Sequence, residues 1–160
     1  MQNLIFDEHG YLVPSEKITI DLATLEQVFV KDFPNSETRK DLFDNYLRYI
    51  DTFAKEITPN FTQWINGSFV TKKEDPKDID FVTFIEAQYY LKNDEDETLD
   101  SFFAWNKYGL DAYIVGEYPR NAQKYIDHTL HFKTQWNNLF SRTRAVNERV
   151  YAKGFLEIHF

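Results

Sequence analysis

Trp64-Ile65-Asn66-Gly67-Ser68-Phe69, followed after a short polar break by Asp75-Pro76-Lys77-Asp78-Ile79-Asp80-Phe81-Val82, is the stretch that decides the fold. Here the hydrophobic period changes. Upstream, Leu42, Phe43, Tyr46, Leu47, Ile50 and Phe53 recur at helical spacing. From Phe61 the pattern becomes that of a short strand running into Gly67-Ser68, then a turn at Lys72–Pro76, then a strand over Ile79–Ile85 with Asp78 at its entry.

The same reading extends in both directions. Residues 1–20 are expected to be an extended N-terminal arm, punctuated by Gly10 and Pro14. Asp21 is placed to cap a helix near 22–33 that Pro34 ends, and Ser36 to cap a second near 37–57. Downstream, helix is expected near 97–107, strand over Leu110–Val115, a long helix near 120–144 and a last strand over Phe155–Phe160. Strands and helices alternate without an internal repeat, so the expected class is α/β or α+β, one domain over 1–160 with one central sheet. The aromatic share, 15 Phe and 10 Tyr, predicts a core built largely of rings.

Charge and composition exclude several classes. A net charge of −8 opposes polyphosphate backbones, so general nucleic-acid binding is disfavoured, whereas a small metal-neutralised phosphate ligand is permitted. The absence of cysteine removes disulfides, thiolate metal sites and a thiol nucleophile. No apolar run approaches membrane-spanning length, and Met1–Glu8 lacks the basic-then-apolar pattern of a signal peptide; no membrane association and a cytoplasmic location are expected.

The central block also carries chemistry. In a strand, alternate residues share a face, so Asp78 and Asp80 point the same way roughly 6.5–7 Å apart. Two ionised carboxylates that close repel, and a divalent cation between them is the simplest relief. Magnesium prefers oxygen ligands, taking one or two carboxylates plus substrate phosphates. Gly67-Ser68 offers unobstructed backbone N–H groups and a hydroxyl for phosphate oxygens. Asp-x-Asp alone, or Gly-Ser alone, is an ordinary strand entry or turn; their succession at the edges of two apolar strands makes the signal.

Those residues resemble the signature of the DNA polymerase β-like nucleotidyltransferase superfamily: an apolar residue, Gly, Gly or Ser, about ten residues, then Asp-apolar-Asp/Glu-apolar. Phe6–Leu12, the Gly-Ser-Phe-Val-Thr run and Lys153–Glu157 are similar to a branch of small bacterial members, minimal and antitoxin-like, so that the resemblance covers most of the chain. It implies a mixed sheet flanked by helices, and transfer of a nucleoside monophosphate from an NTP to a protein or small-molecule hydroxyl with loss of pyrophosphate. It also implies a third carboxylate on a neighbouring strand, for which Asp111 is the natural candidate. Glu86 and Glu117 share parity with Asp80 and Asp111 but lie about 20 Å along their strands.

The expected site is therefore Asp78, Asp80 and Asp111 as catalytic and metal-binding acids, with Mg2+ or Mn2+. Gly67, Ser68 and Lys72 would bind the phosphates of the NTP. The alternative is an antitoxin-like or regulatory partner of another protein, with a vestigial nucleotide site. A polynucleotide polymerase is disfavoured by the charge. Outside the block, His128 and His131 lie at i,i+3 without a third ligand, and Phe132, Trp136 and Phe140 are expected in the core. Arg39 is expected in a surface ion pair, and Arg142, Arg144 and Arg149 either neutralise a helix end or mark a partner surface.

Overall fold

The computed structural model describes residues 3–160. A five-stranded mixed sheet carries helices on both faces. Its strands are β3 (Lys17–Thr19), β4 (Thr62–Asn66), β5 (Asp80–Glu86), β6 (Asp111–Glu117) and β7 (Phe155–His159), in the order β3-β7-β4-β5-β6. The pairs β3–β7 and β5–β6 are parallel; β7–β4 and β4–β5 are antiparallel. A two-stranded hairpin, β1 (Ile5–Phe6) and β2 (Leu12–Val13), precedes the sheet.

Strand alternation divides the core in two. One face presents Ile65, Phe81, Ile85, Ala112, Leu156 and Ile158 to helix α2 (Arg39–Glu56), which buries Phe43, Tyr46, Tyr49, Ile50 and Phe53 against them. The opposite face presents Trp64, Val82, Phe84, Val115 and Phe155 to helix α5 (His131–Phe140), through Phe140 with Phe132 and Trp136 beside it. The expected aromatic core is present: Tyr46 and Tyr49 meet Phe81 edge-on at 5.5 and 5.3 Å, and Trp64 packs on Phe84 at 4.7 Å.

Local rules account for most boundaries. Asp21 accepts from Thr24 N at 2.7 Å and starts α1 (Leu22–Glu26), which widens into a π-type turn over Gln27–Lys31. Ser36 Oγ accepts from the N–H of Thr38 and Arg39 at the start of α2. Three expectations are corrected. A helix α3 (Ala87–Lys92) directly follows β5, where none was expected, before a 3-10 turn (Glu97–Leu99) and α4 (Ser101–Tyr108). The long helix is shorter than 120–144: helical backbone begins at Tyr125 in a π-type turn and ends at Phe140. At its end Ser141 Oγ and Arg142 Nε take the carbonyls of Asn137 and Asn138, and the chain turns back so that Thr143 N donates to Tyr151 O. The N-terminal arm is tied down: Asp7 accepts from His9 N and Tyr11 N, Lys72 N donates to Gly10 O, and Gly154 N donates to Leu12 O.

The third expectation concerned Arg39. It is no surface ion pair but is 1 % exposed, and all five of its N–H groups donate to backbone carbonyls. Nε reaches Glu74 O at 3.1 Å; Nη1 reaches Phe29 O and Phe69 O at 2.9 and 2.7 Å; Nη2 reaches Thr71 O at 2.9 Å and Lys73 O. The guanidinium lies 3.9 Å over the Phe33 ring. Burial pushes its pKa down to about 10, so it stays protonated at neutral pH. One side chain thus fixes the loop 67–76 between β4 and β5 to the first helices.

Removing it would strand carbonyls in a buried space. Arg39→Ala is expected to lower unfolding stability by about 3–5 kcal/mol. Arg39→Lys keeps the charge but offers three donors from one point, and should fall between Ala and wild type. Urea unfolding measures this; Arg39→Ala with wild-type stability would contradict the clamp.

Candidate functional site

The register of three strands builds the site. Asn66 on β4 lies opposite Asp80 on β5, and Asp80 lies beside Asp111 on β6. The three side chains therefore form a row across one end of the sheet, on the α5 face. Asp111 is held in place by its own N–H, which donates to Ile79 O at 3.1 Å. Asp78, just before β5, faces the same cleft, whose volume is about 1130 Å³.

Gly67 makes the row possible. Its φ of +77° is in the left-handed region, and a Cβ at this position would stand 1.6 Å from Asp80 Oδ2. The carboxylate lies directly against bare backbone. Beyond it, Thr71 Oγ1 closes the turn on Ser68 O at 2.7 Å. No carbonyl among the described residues takes up the N–H of Gly67 or Ser68. These two sequence-predicted phosphate residues are thus beside the acids, at the start of the loop that Arg39 clamps.

The acids crowd one another. Burial, then the charges of Asp78 and Asp111, push Asp80 up to about 6. Burial and Asp111 likewise raise Asp78, against the pull of Arg144, Lys73 and Lys77. Asn66 is buried, and its Oδ1 has no hydrogen-bond partner among the described residues. A buried carbonyl oxygen without a donor, aligned with two carboxylates, suits a hard cation.

That fit has a definite character. Among the described residues, no three His, Cys, Asp or Glu side chains stand close enough to form a metal cage. Magnesium needs fewer: one or two carboxylates, with water and substrate phosphates completing the shell. Asp80 with Asp78 or Asp111, and Asn66 Oδ1, supply that number.

Three residues the sequence reading did not assign enter the site. Asn66 is one. Lys153, 6 % exposed, lines the same cleft as Asp80, and burial pushes its ammonium down to about 8 against the pull of that carboxylate. The β4–β7 register explains it: Ile65 pairs with Leu156, so the residues before β7 reach the same end of the sheet as Gly67-Ser68. Arg144 arrives on the loop after α5 and acts on Asp78 and Asp80. Lys72 lines the same cleft, with its Nζ 4.2 Å over Phe6 and 5.5 Å over Phe33. Glu86 and Glu117 pair at the far end of β5 and β6, away from the acids, as expected from their spacing. His128 is half-buried against Tyr118 and Phe132, and His131 is exposed.

The raised Asp80 has a consequence for stability. A carboxyl whose folded pKa exceeds its unfolded one binds protons more readily when folded, so stability falls as pH rises from about 4 to about 6, then levels off. In EDTA, Asp80→Asn is expected to be more stable than wild type at pH 7, by on the order of 1–2 kcal/mol, and to lose that advantage below about pH 4. Urea unfolding across pH checks it; a destabilised Asp80→Asn at pH 7 would contradict the charge crowding.

No curated protein and no solved structure matches the chain. Among the described residues, no helix is long and apolar enough to cross a membrane. The sequence pattern of a family of unknown function, DUF6932, matches residues 4–159, nearly the whole described chain, and the protein belongs to that family.

Proposed function

We propose that this protein is a magnesium-dependent nucleotidyltransferase, moving a nucleoside monophosphate from an NTP to a hydroxyl of a protein or small molecule. The observation that carries the reading is the row Asn66–Asp80–Asp111 across three adjacent strands, with Gly67 backbone against Asp80 and N–H groups following that no carbonyl among the described residues takes up. This is an arrangement for oxygen-rich binding of a cation and its phosphates, and it coincides with the motif that resembles the polymerase β-like superfamily.

Each residue then has a task. Gly67 and Ser68 donate to phosphate oxygens through their backbone, as oriented N–H groups in turns do. Asp80, Asp78 and Asn66 Oδ1 would hold Mg2+ or Mn2+, which when bound neutralises phosphate charge and steadies the attacking and leaving oxygens. Asp111 accepts the proton of the acceptor hydroxyl. The acceptor oxygen bonds to the α-phosphorus in line, the bond from that phosphorus to the α–β bridging oxygen breaks, and pyrophosphate departs. Lys153 and Arg144 offset the charge that gathers on the phosphates.

One observation favours the second reading, a regulatory or antitoxin-like partner with a vestigial nucleotide site. Lys153 places a buried ammonium in the same cleft as Asp80, within reach of its charge, and a resident cation can take the part of a lost metal.

Label transfer distinguishes the two. With α-labelled NTPs, magnesium and a cell extract as acceptor source, wild-type protein is expected to transfer label. Asp80→Asn should abolish it, and Asp111→Asn should lower the rate by about 10²–10⁴-fold. Transfer that survives Asp80→Asn undiminished would refute the assignment; no transfer with any NTP, alongside an Asp80-independent protein complex, would establish the second reading.

A further inference from the structure

The cleft is not uniform along the row of acids. Lys153 lies at its β7 end, the Gly67-Ser68 turn follows β4, then come Asp80 on β5 and Asp111 on the edge strand β6. Three strand spacings separate the ends, about 14 Å, the scale of an extended nucleoside triphosphate. Beyond Asp111 the lining changes character. Tyr113, two residues along β6 on the same face, is 42 % exposed, and its ring lies 5.0 Å from that of Trp136 on α5. Trp105, in the last turn of α4 before Gly109 leads into β6, is 51 % exposed and lines the same cleft. Leu139, 57 % exposed, adds an apolar flank.

Exposed rings at the mouth of a polar site carry a hydration penalty that a binding partner relieves. Trp136 also packs on Phe140 at 5.2 Å, in the cluster that holds Trp64, Phe84 and Phe155, so the wall is anchored to the core. Tyr113 lies against it, and Trp105 lines the cleft from the end of α4. Tyr113 starts about 7 Å from Asp111 along the strand, one sugar's reach from a phosphate held at the acids. The three rings offer π faces, with only the Tyr113 hydroxyl and the indole N–H groups as polar atoms of their own.

We infer that Trp105, Tyr113 and Trp136 form a stacking subsite for the nucleobase, one that favours the larger purine ring over pyrimidines and does not discriminate adenine from guanine. The inference rests on the nucleotide reading above and names the part of the ligand that reading left open. Stacking on aromatic side chains is tolerant of base identity because every base has a π face, and it strengthens with ring area.

The test titrates the intact protein, with MgCl2, against ATP, GTP, CTP, UTP and inorganic tripolyphosphate, following binding by calorimetry and by quenching of tryptophan fluorescence. Expected are ATP and GTP within about threefold of each other, both about 5- to 30-fold tighter than tripolyphosphate, and the pyrimidine nucleotides between. Trp105→Ala, at a mostly exposed position, should remove most of the purine gain and leave tripolyphosphate affinity unchanged; Tyr113→Leu should act likewise. Purine nucleotides that bind no tighter than tripolyphosphate, or an undiminished gain in both variants, would overturn the stacking subsite while leaving the phosphate site standing. Purine nucleosides that quench in a Trp105-dependent way while magnesium tripolyphosphate does not bind would keep the subsite and sink the phosphate reading. No binding by any ligand overturns both.

Discussion

The guanidinium of Arg39 is the contact on which the arrangement depends. A loop such as 67–76 has carbonyls that no strand or helix takes up, and buried carbonyls without donors are costly. Arg39 answers four of them at once, and Phe29 O as a fifth, from a fixed planar fork that lysine lacks. The Gly67-Ser68 turn is then positioned by the interior of the protein, and so is the hairpin tip of Gly10, which Lys72 N engages from the same loop. A site on a clamped loop keeps its N–H groups aimed before any ligand arrives, which is what preorganised electrostatic binding requires.

Against that rigid loop the carboxylates are held in an unfavourable place. Asp80 is half-buried, pressed on Gly67, and flanked by Asp78 and Asp111. Nothing in the packing requires three acids there; Trp64, Val82 and Phe84 show that the same face accepts apolar residues one step along the strands. A protein that tolerates such crowding spends stability on a binding site. Lys153 and Arg144 relieve part of it, and Asn66 Oδ1 stays without a donor among the described residues.

Much of this was legible in the sequence, and the parts that were not share a cause. Helix α2 and strands β4, β5 and β7 announce themselves by period, and Asp21 by cap chemistry, because those signals are local. That Asp80 and Asp111 lie side by side followed only from expecting adjacent strands. Lys153 and Asn66 were missed because their roles come from the β4–β7 and β4–β5 registers, which no local pattern encodes. Arg39 was misjudged for the same reason: arginine on a helix reads as solvated until the carbonyls of a loop about 30 residues away are brought around it. That the N-terminal hairpin brings Phe6 under the Lys72 ammonium is likewise set by tertiary packing and has no local signal. Helix α3 was hidden by a strand pattern that runs straight into it without a break residue.

On the proposed function, the acids on β5 and β6 hold a cation together with the phosphates of a nucleotide. The most direct measurement is an anomalous difference map from crystals soaked with Mn2+ and a non-hydrolysable NTP. Expected is a manganese peak in contact with an Asp80 carboxylate oxygen, with phosphate density leading to the Gly67-Ser68 N–H groups. Density for the nucleotide elsewhere, or a cleft in which Lys153 alone contacts Asp80 under saturating Mn2+ and nucleotide, would contradict it.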